Sequence, residues 1–94
     1  MPGARPEFRL YIVGGQVGSA RAEPDLRQAL DQALPGGYGL QVIDLRVRPD
    51  LAAADNVMIA PTVLRISPAP QLRAVGVLDD PRALARALGL PIAP

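Results

Sequence analysis

The apolar residues of this chain fall into short blocks punctuated by glycine and proline, and each block has a recognisable period. From Phe8 to Val13 the residues are aromatic, β-branched or leucine, and Gly14-Gly15 follows directly, which predicts a strand and a turn. The unbroken run Leu10-Tyr11-Ile12-Val13 implies burial on both faces. Between Ser19 and Leu34, the residues Leu26, Ala29, Leu30, Ala33 and Leu34 recur at spacings of three and four, as on the inner face of a helix. Pro24 leaves two starts open: Glu23, with the proline at the first helical position, or Ser19, with a bend. Pro35-Gly36-Gly37 ends the helix. A second strand is predicted over Leu40–Val47, with Val42, Ile43 and Leu45 apolar. Two strands joined by such a helix form a βαβ unit, with parallel strands and a right-handed crossover.

Pro49 to Asp55 reads as a short helix, with proline at its start, an acid in its first turn and three alanines. Ala60-Pro61 precedes a third strand, Thr62–Ile66, of alternating character, and Ser67-Pro68-Ala69-Pro70 forms a turn. Leu72–Leu78 is predicted as a fourth strand, antiparallel to the third because a short loop joins them. Asp79-Asp80-Pro81 opens a last helix that runs through Leu88 and is closed by Gly89 and Pro91. Residues 1–7, with two prolines and a glycine, read as a flexible N-terminus, and residues 8–94 as a single domain. The order β-α-β-α-β-β-α describes an α/β protein in the thioredoxin order.

Composition narrows the chemistry sharply. The chain has 94 residues, 49% of them hydrophobic and 20% charged, with a formal net charge of +1. That suits a globular domain and argues against nucleic acid or membrane as a partner. With no cysteine and no histidine, disulfides, thiol chemistry, the commonest general base and the commonest metal ligand are all excluded. Every cationic side chain is arginine, so no Schiff-base or P-loop lysine exists. The expectation is a binding module rather than an enzyme, with no cofactor and no metal. No apolar run reaches the roughly 20 residues of a membrane span, and the opening residues, with Pro2, Pro6 and Glu7, do not read as a secretory signal. A cytoplasmic location is expected.

The candidate sites are few. Gly14-Gly15-Gln16-Val17-Gly18 occupies the place of a phosphate loop but lacks its lysine and its glycine spacing, and reads as a turn. Asp44, Asp50, Asp55, Asp79 and Asp80 read as solvated or capping carboxylates rather than a catalytic pair. Arg46 and Arg48, with Arg21 and Arg65, offer a small basic patch that reads first as a solvated face and only second as a contact for an acidic protein partner. Pro61, before a strand in this element order, stands where thioredoxin-like folds hold a cis X-Pro bond. Gln16-Val17-Gly18-Ser19 takes the place of the redox Cys-x-x-Cys pair.

These residues carry a family resemblance. Leu10-Tyr11-Ile12-Val13-Gly14, Ser19 and Arg21, Tyr38, Leu40, Val42-Ile43-Asp44, Pro49, Leu51-Ala52, Asp55, Ala60-Pro61-Thr62, Pro68-Ala69-Pro70, Arg73, Gly76 and Leu78 together resemble the KaiB family, the fold-switching component of the cyanobacterial clock. The resemblance implies a non-enzymatic adaptor that docks on the ring of a KaiC-like ATPase in a circadian, timing or stress-response system. It also implies recruitment of a further clock or signalling protein there. Arg21, Tyr38, Gln41 and Arg65 are the expected partner-binding positions, on the first helix, the second strand and their surroundings. The alternative is a thioredoxin-fold sensory or ligand-binding module without redox activity, like the input domain of the kinase SasA. The family is implied to have a second, usually tetrameric fold with a rearranged C-terminal half. Asp80, Pro81, Ala87 and Gly89 favour the thioredoxin-like form here, because cap, first-turn proline, alanine and terminal glycine all support a helix over about residues 80–88. A monomer or weak dimer is then expected, with the tetramer reserved for the alternative fold.

Overall fold

The computed structural model describes residues 5–76 and 79–91 of the chain. They form β1 (Glu7–Ile12), α1 (Val17–Ala33), β2 (Gly39–Asp44), α2 (Pro49–Ala54), β3 (Thr62–Ser67), β4 (Leu72–Val75) and α3 (Pro81–Leu88). One four-stranded sheet has the order β2-β1-β3-β4. β1 and β2 are parallel, with Glu7 opposite Gly39 and Ile12 opposite Asp44. β3 is antiparallel to both β1 and β4, so the N-terminal βαβ unit and the C-terminal ββα unit meet along the β1–β3 ladder. This is the thioredoxin-like α/β fold.

Strand alternation divides the core. Phe8 and Leu10 of β1, Val63 of β3, Leu26 and Leu30 of α1, and Leu84 and Leu88 of α3 form the larger cluster. On the opposite face Tyr11, Ile43, Leu64, Ala52 and Val57 pack beneath α2. Leu10, Tyr11, Val63 and Leu64 are fully enclosed, as befits central strands with both faces covered. The alternation expected for the third strand is therefore absent: Thr62, Val63 and Leu64 are all buried.

Several boundaries differ from those predicted. Helix α1 begins at Val17, and Pro24 lies inside it rather than at its first position. Pro24 has no N–H for the carbonyl one turn back, a defect of about 3 kcal/mol in a helix interior. Its ring is exposed, while Ala22, Leu26, Ala29 and Leu30 bury on the other side, so tertiary packing carries the helix through the proline. β2 stops at Asp44 instead of Val47, because the Asp44 carboxylate accepts from the Arg46 amide at 2.8 Å and turns the chain. β4 ends at Val75, before Gly76 at φ +95°; Val77 and Leu78 of the predicted strand lie outside the described residues. Glu7, assigned by the sequence reading to the flexible terminus, is the first residue of β1. Residues 1–4 and 92–94 also lie outside the described residues.

Helix α3 has the ends its sequence foretells. Asp80 Oδ1 accepts from the amides of Arg82 at 3.0 Å and Ala83 at 3.2 Å. Pro81 follows in the first turn, and Gly89 closes the helix at φ +65°.

Candidate protein-docking surface

At the end of the sheet where β1 and β2 finish, the chain is tied down by Asp44. Its carboxylate accepts from the amides of Gly14 at 3.1 Å and Arg46 at 2.8 Å, and those two bonds, Arg46 first, hold its pKa below the usual carboxylate value. Arg46 also donates to the Gly14 carbonyl at 2.8 Å. Ser19 Oγ accepts from the Val13 amide at 2.9 Å, fixing the first turn of α1 against β1. Gly15 takes φ +87°, so the Gly14-Gly15 pair does serve as a turn. Among the described residues no three acidic side chains gather as a metal ion would require.

Beside this turn stands the segment between α2 and β3. The Ala60–Pro61 peptide is cis, Pro61 is buried, Thr62 Oγ1 donates to the Ile59 carbonyl at 2.8 Å, and the Gly76 amide donates to the Pro61 carbonyl at 2.9 Å. Met58 and Ile59 are 91% and 57% exposed, and Val75, at the adjoining end of β4, is 50% exposed. Val47, before α2, is also exposed. The sequence reading placed Val47 and Val75 inside predicted strands and passed over Met58 and Ile59. The signal for those two was a pair of apolar residues in the loop before Pro61, where no period calls for burial.

The four positions nominated for a partner do not converge. Arg21 lies exposed on α1, 3.8 Å from Asp25 one turn on. Tyr38 precedes β2, its ring edge-on to Phe8 with centroids 6.3 Å apart, and its hydroxyl donates to Asp31 at 2.7 Å. Burial, then that hydrogen bond, raises its pKa. Gln41 is exposed on β2 opposite Arg9, on the α2 side of the sheet, where an open depression of about 410 Å3 adjoins it. Arg65 is clamped inward: Nη1 donates to the Leu88 carbonyl at 3.0 Å, Nη2 to the Pro70 carbonyl at 3.0 Å, and Nε is buried without a partner. Arg65 thus closes the end of α3. Nor does the predicted basic patch assemble. Arg65 pairs with Phe8 near the start of β1, whereas Arg46 clasps Gly14 beyond its end and Arg48 is paired with Asp50.

A third cluster pins α2 to the sheet. Tyr11 donates to the Asp55 carboxylate, with the Leu51 carbonyl 3.1 Å from the same hydroxyl. Arg9 Nη1 reaches Asp55 at 2.9 Å, and Arg73 donates to the carbonyls of Asp55 and Asn56. Asp55, read from sequence as a solvated or capping carboxylate, is the hub of this network.

A thioredoxin-like sheet in a chain without a single cysteine defines a thioredoxin-fold module with no thiol chemistry. Solved structures agree on the fold: the N-terminal domain of Synechococcus elongatus SasA matches with a TM-score of 0.72 at 20% identity, covering 87% of this chain and 77% of that one. Chloroplastic thioredoxin z matches with a TM-score of 0.71 at 19% identity, over 88% and 75% of the two chains. The KaiB domain model matches residues 9–90, and the chain belongs to the KaiB family. It is 40% identical over 73 residues to the circadian clock oscillator protein KaiB of Prochlorococcus marinus (strain MIT 9313), covering 78% of this chain and 61% of that protein. It is 37% identical to the KaiB protein of Trichodesmium erythraeum (strain IMS101), over 78% and 70% of the two chains.

Proposed function

We propose that this chain is a non-enzymatic KaiB-type adaptor that docks, in its thioredoxin-like form, on the ring of a KaiC-type ATPase in a circadian, timing or stress-response system. The observation that supports this most directly is family membership across residues 9–90 on a scaffold devoid of cysteine and histidine. Without those groups the fold offers neither thiol exchange nor imidazole catalysis, and its surface is left for recognition. Arg21 on α1, with Tyr38 and Gln41 at and before β2, are the contacts proposed for that partner. Arg65 acts on it only indirectly, by holding α3 in place. The same reading places the module in the cytoplasm.

The test is co-sedimentation of the chain with the KaiC homologue of its host, with and without ATP. Complex formation at micromolar concentration, weakened by Arg21→Glu and Gln41→Arg but not by a surface change at the other edge of the sheet such as Gln71→Lys, is the expected result. No complex in either nucleotide state overturns the reading.

A further inference from the structure

Among the described residues the exposed large apolar side chains are Val47, Met58, Ile59 and Val75, and all of them lie at one end of the sheet. Strand direction puts them there. β1 and β2 finish at this end, and Val47 follows β2; β3, antiparallel to β1, begins there shortly after Met58 and Ile59. Val75 ends β4, which runs back antiparallel to β3. Single exposed apolar side chains are ordinary on a protein surface, whereas a set gathered at one end is not.

Met58 is the most exposed of the set, at 91%. Its neighbours, not its own side chain, hold the segment in place. Val57 is buried, and its amide donates to the Ala52 carbonyl at 2.8 Å. On the other side the Ile59 carbonyl accepts from Thr62 Oγ1 at 2.8 Å. The Met58 thioether is therefore open to solvent and carries no share of the core.

Its chemistry has little competition. The chain has two methionines, no cysteine and no tryptophan, so thioethers are the groups most open to two-electron oxidants. The other methionine, Met1, lies outside the described residues.

We propose that Met58 is a modification site for two-electron oxidants of the peroxide class, and that its sulfoxide turns the apolar end of the sheet polar while the fold stays intact. A lone pair on Met58 Sδ attacks one oxygen of hydrogen peroxide, and the S–O bond forms as the O–O bond breaks. The departing hydroxide takes the proton of the new S–OH group and leaves as water. Sulfur is oxidised by two electrons and the peroxide is reduced. The product is a strongly polar side chain in place of a soft apolar one. In a core that change would disrupt packing; at a solvated position it alters only the surface. A thiol-free chain thereby gains a reversible response to oxidant, since methionine sulfoxide is open to enzymatic reduction.

Millimolar hydrogen peroxide followed by peptide mass mapping tests this on the chain alone, independently of any ATPase. Met58 gains one oxygen at a rate within about tenfold of that of N-acetylmethionine amide. The oxidised chain elutes earlier from a phenyl hydrophobic-interaction column, and its thermal midpoint stays within about 4 °C of the untreated chain. Treatment with the two methionine sulfoxide reductases, one for each epimer, restores the original retention. Met58→Leu keeps the bulk and the apolarity without the sulfur, so its retention does not respond to peroxide. Oxidation of Met58 slower than that tenfold limit, a larger fall in the midpoint, an unchanged retention, or a shift that persists in Met58→Leu overturns the proposal.

Discussion

Tyr11 of β1 donates its phenolic proton to Asp55, the residue that closes α2, so the smallest helix of the fold is fastened to the most central strand. Tyr11 is fully buried, and its hydroxyl finds its partners there in Asp55 and the Leu51 carbonyl. Tyr11→Phe keeps the ring and removes the bond. It should cost about 1–2 kcal/mol in urea denaturation. Asp55→Ala should cost more, because it also releases Arg9.

The same hydroxyl sets an alkaline limit. Burial first, and then the bond to Asp55, push the Tyr11 phenol from the ordinary 10.0 up to about 12. A phenol held neutral in the folded state contributes its full stability below pH 10 and loses it as the pH climbs from 10 towards 12. The loss should reach roughly 2 kcal/mol and be missing from the Tyr11→Phe protein, as followed by stability measured across that range.

Asp44 behaves in the opposite sense. Its folded-state pKa is depressed by the amides of Arg46 and Gly14, so its contribution is complete above the ordinary value of 3.8 and fades as the pH falls through the lowered one. Amide hydrogen exchange at Gly14 and Arg46 should therefore accelerate in acid before the core opens. Asp44→Asn should show the fast exchange already at neutral pH.

Gly89 is required for two separate reasons. It holds φ +65°, and a Cβ there would stand 2.8 Å from Arg65 Nη1 and 3.1 Å from Leu72 Cδ1. Gly89→Ala should cost about 2 kcal/mol or more in chemical denaturation. Gly15→Ala, at φ +87° with open space around it, carries only the conformational cost of about 1 kcal/mol.

Arg65 separates a structural role from a docking role. A lysine at this position cannot bond the carbonyls of Leu88 and Pro70 together, so Arg65→Lys should lower stability by about 1–2 kcal/mol even with no partner present. Thermal unfolding of the isolated chain reads this directly.

Local signals carried most of the fold into view. The ends of α3 were legible because Asp80, Pro81 and Gly89 act within a few residues of themselves, and the β1–β2 and β3–β4 pairings followed from the connections that join them. Pro24 misled because its penalty is local, whereas the burial of Leu26 and Leu30 that outweighs it is tertiary. β2 ended early because the Asp44 side chain takes the Arg46 amide and turns the chain, which the apolar run through Val47 does not encode. The side-chain clamps between elements were the least legible part. Arg65 looks in sequence like any surface arginine, and only the approach of α3 turns it inward; Asp55 looks like a loop acid until Arg9 and Tyr11 arrive from β1.

The ladder between β1 and β3 has a kinetic meaning. The βαβ unit and the β3–β4 hairpin each close over shorter stretches of chain, but Tyr11 must find Thr62, fifty-one positions later, before the two units share a core. Closing a longer loop adds little to the equilibrium cost, about 0.6 kcal/mol per doubling, yet non-local pairing slows the search. The sheet's middle seam is accordingly its last to form. Truncating Leu72 in the earlier-formed hairpin should therefore slow folding, while truncating Leu10 or Val63, which face each other across the late seam, should mainly speed unfolding.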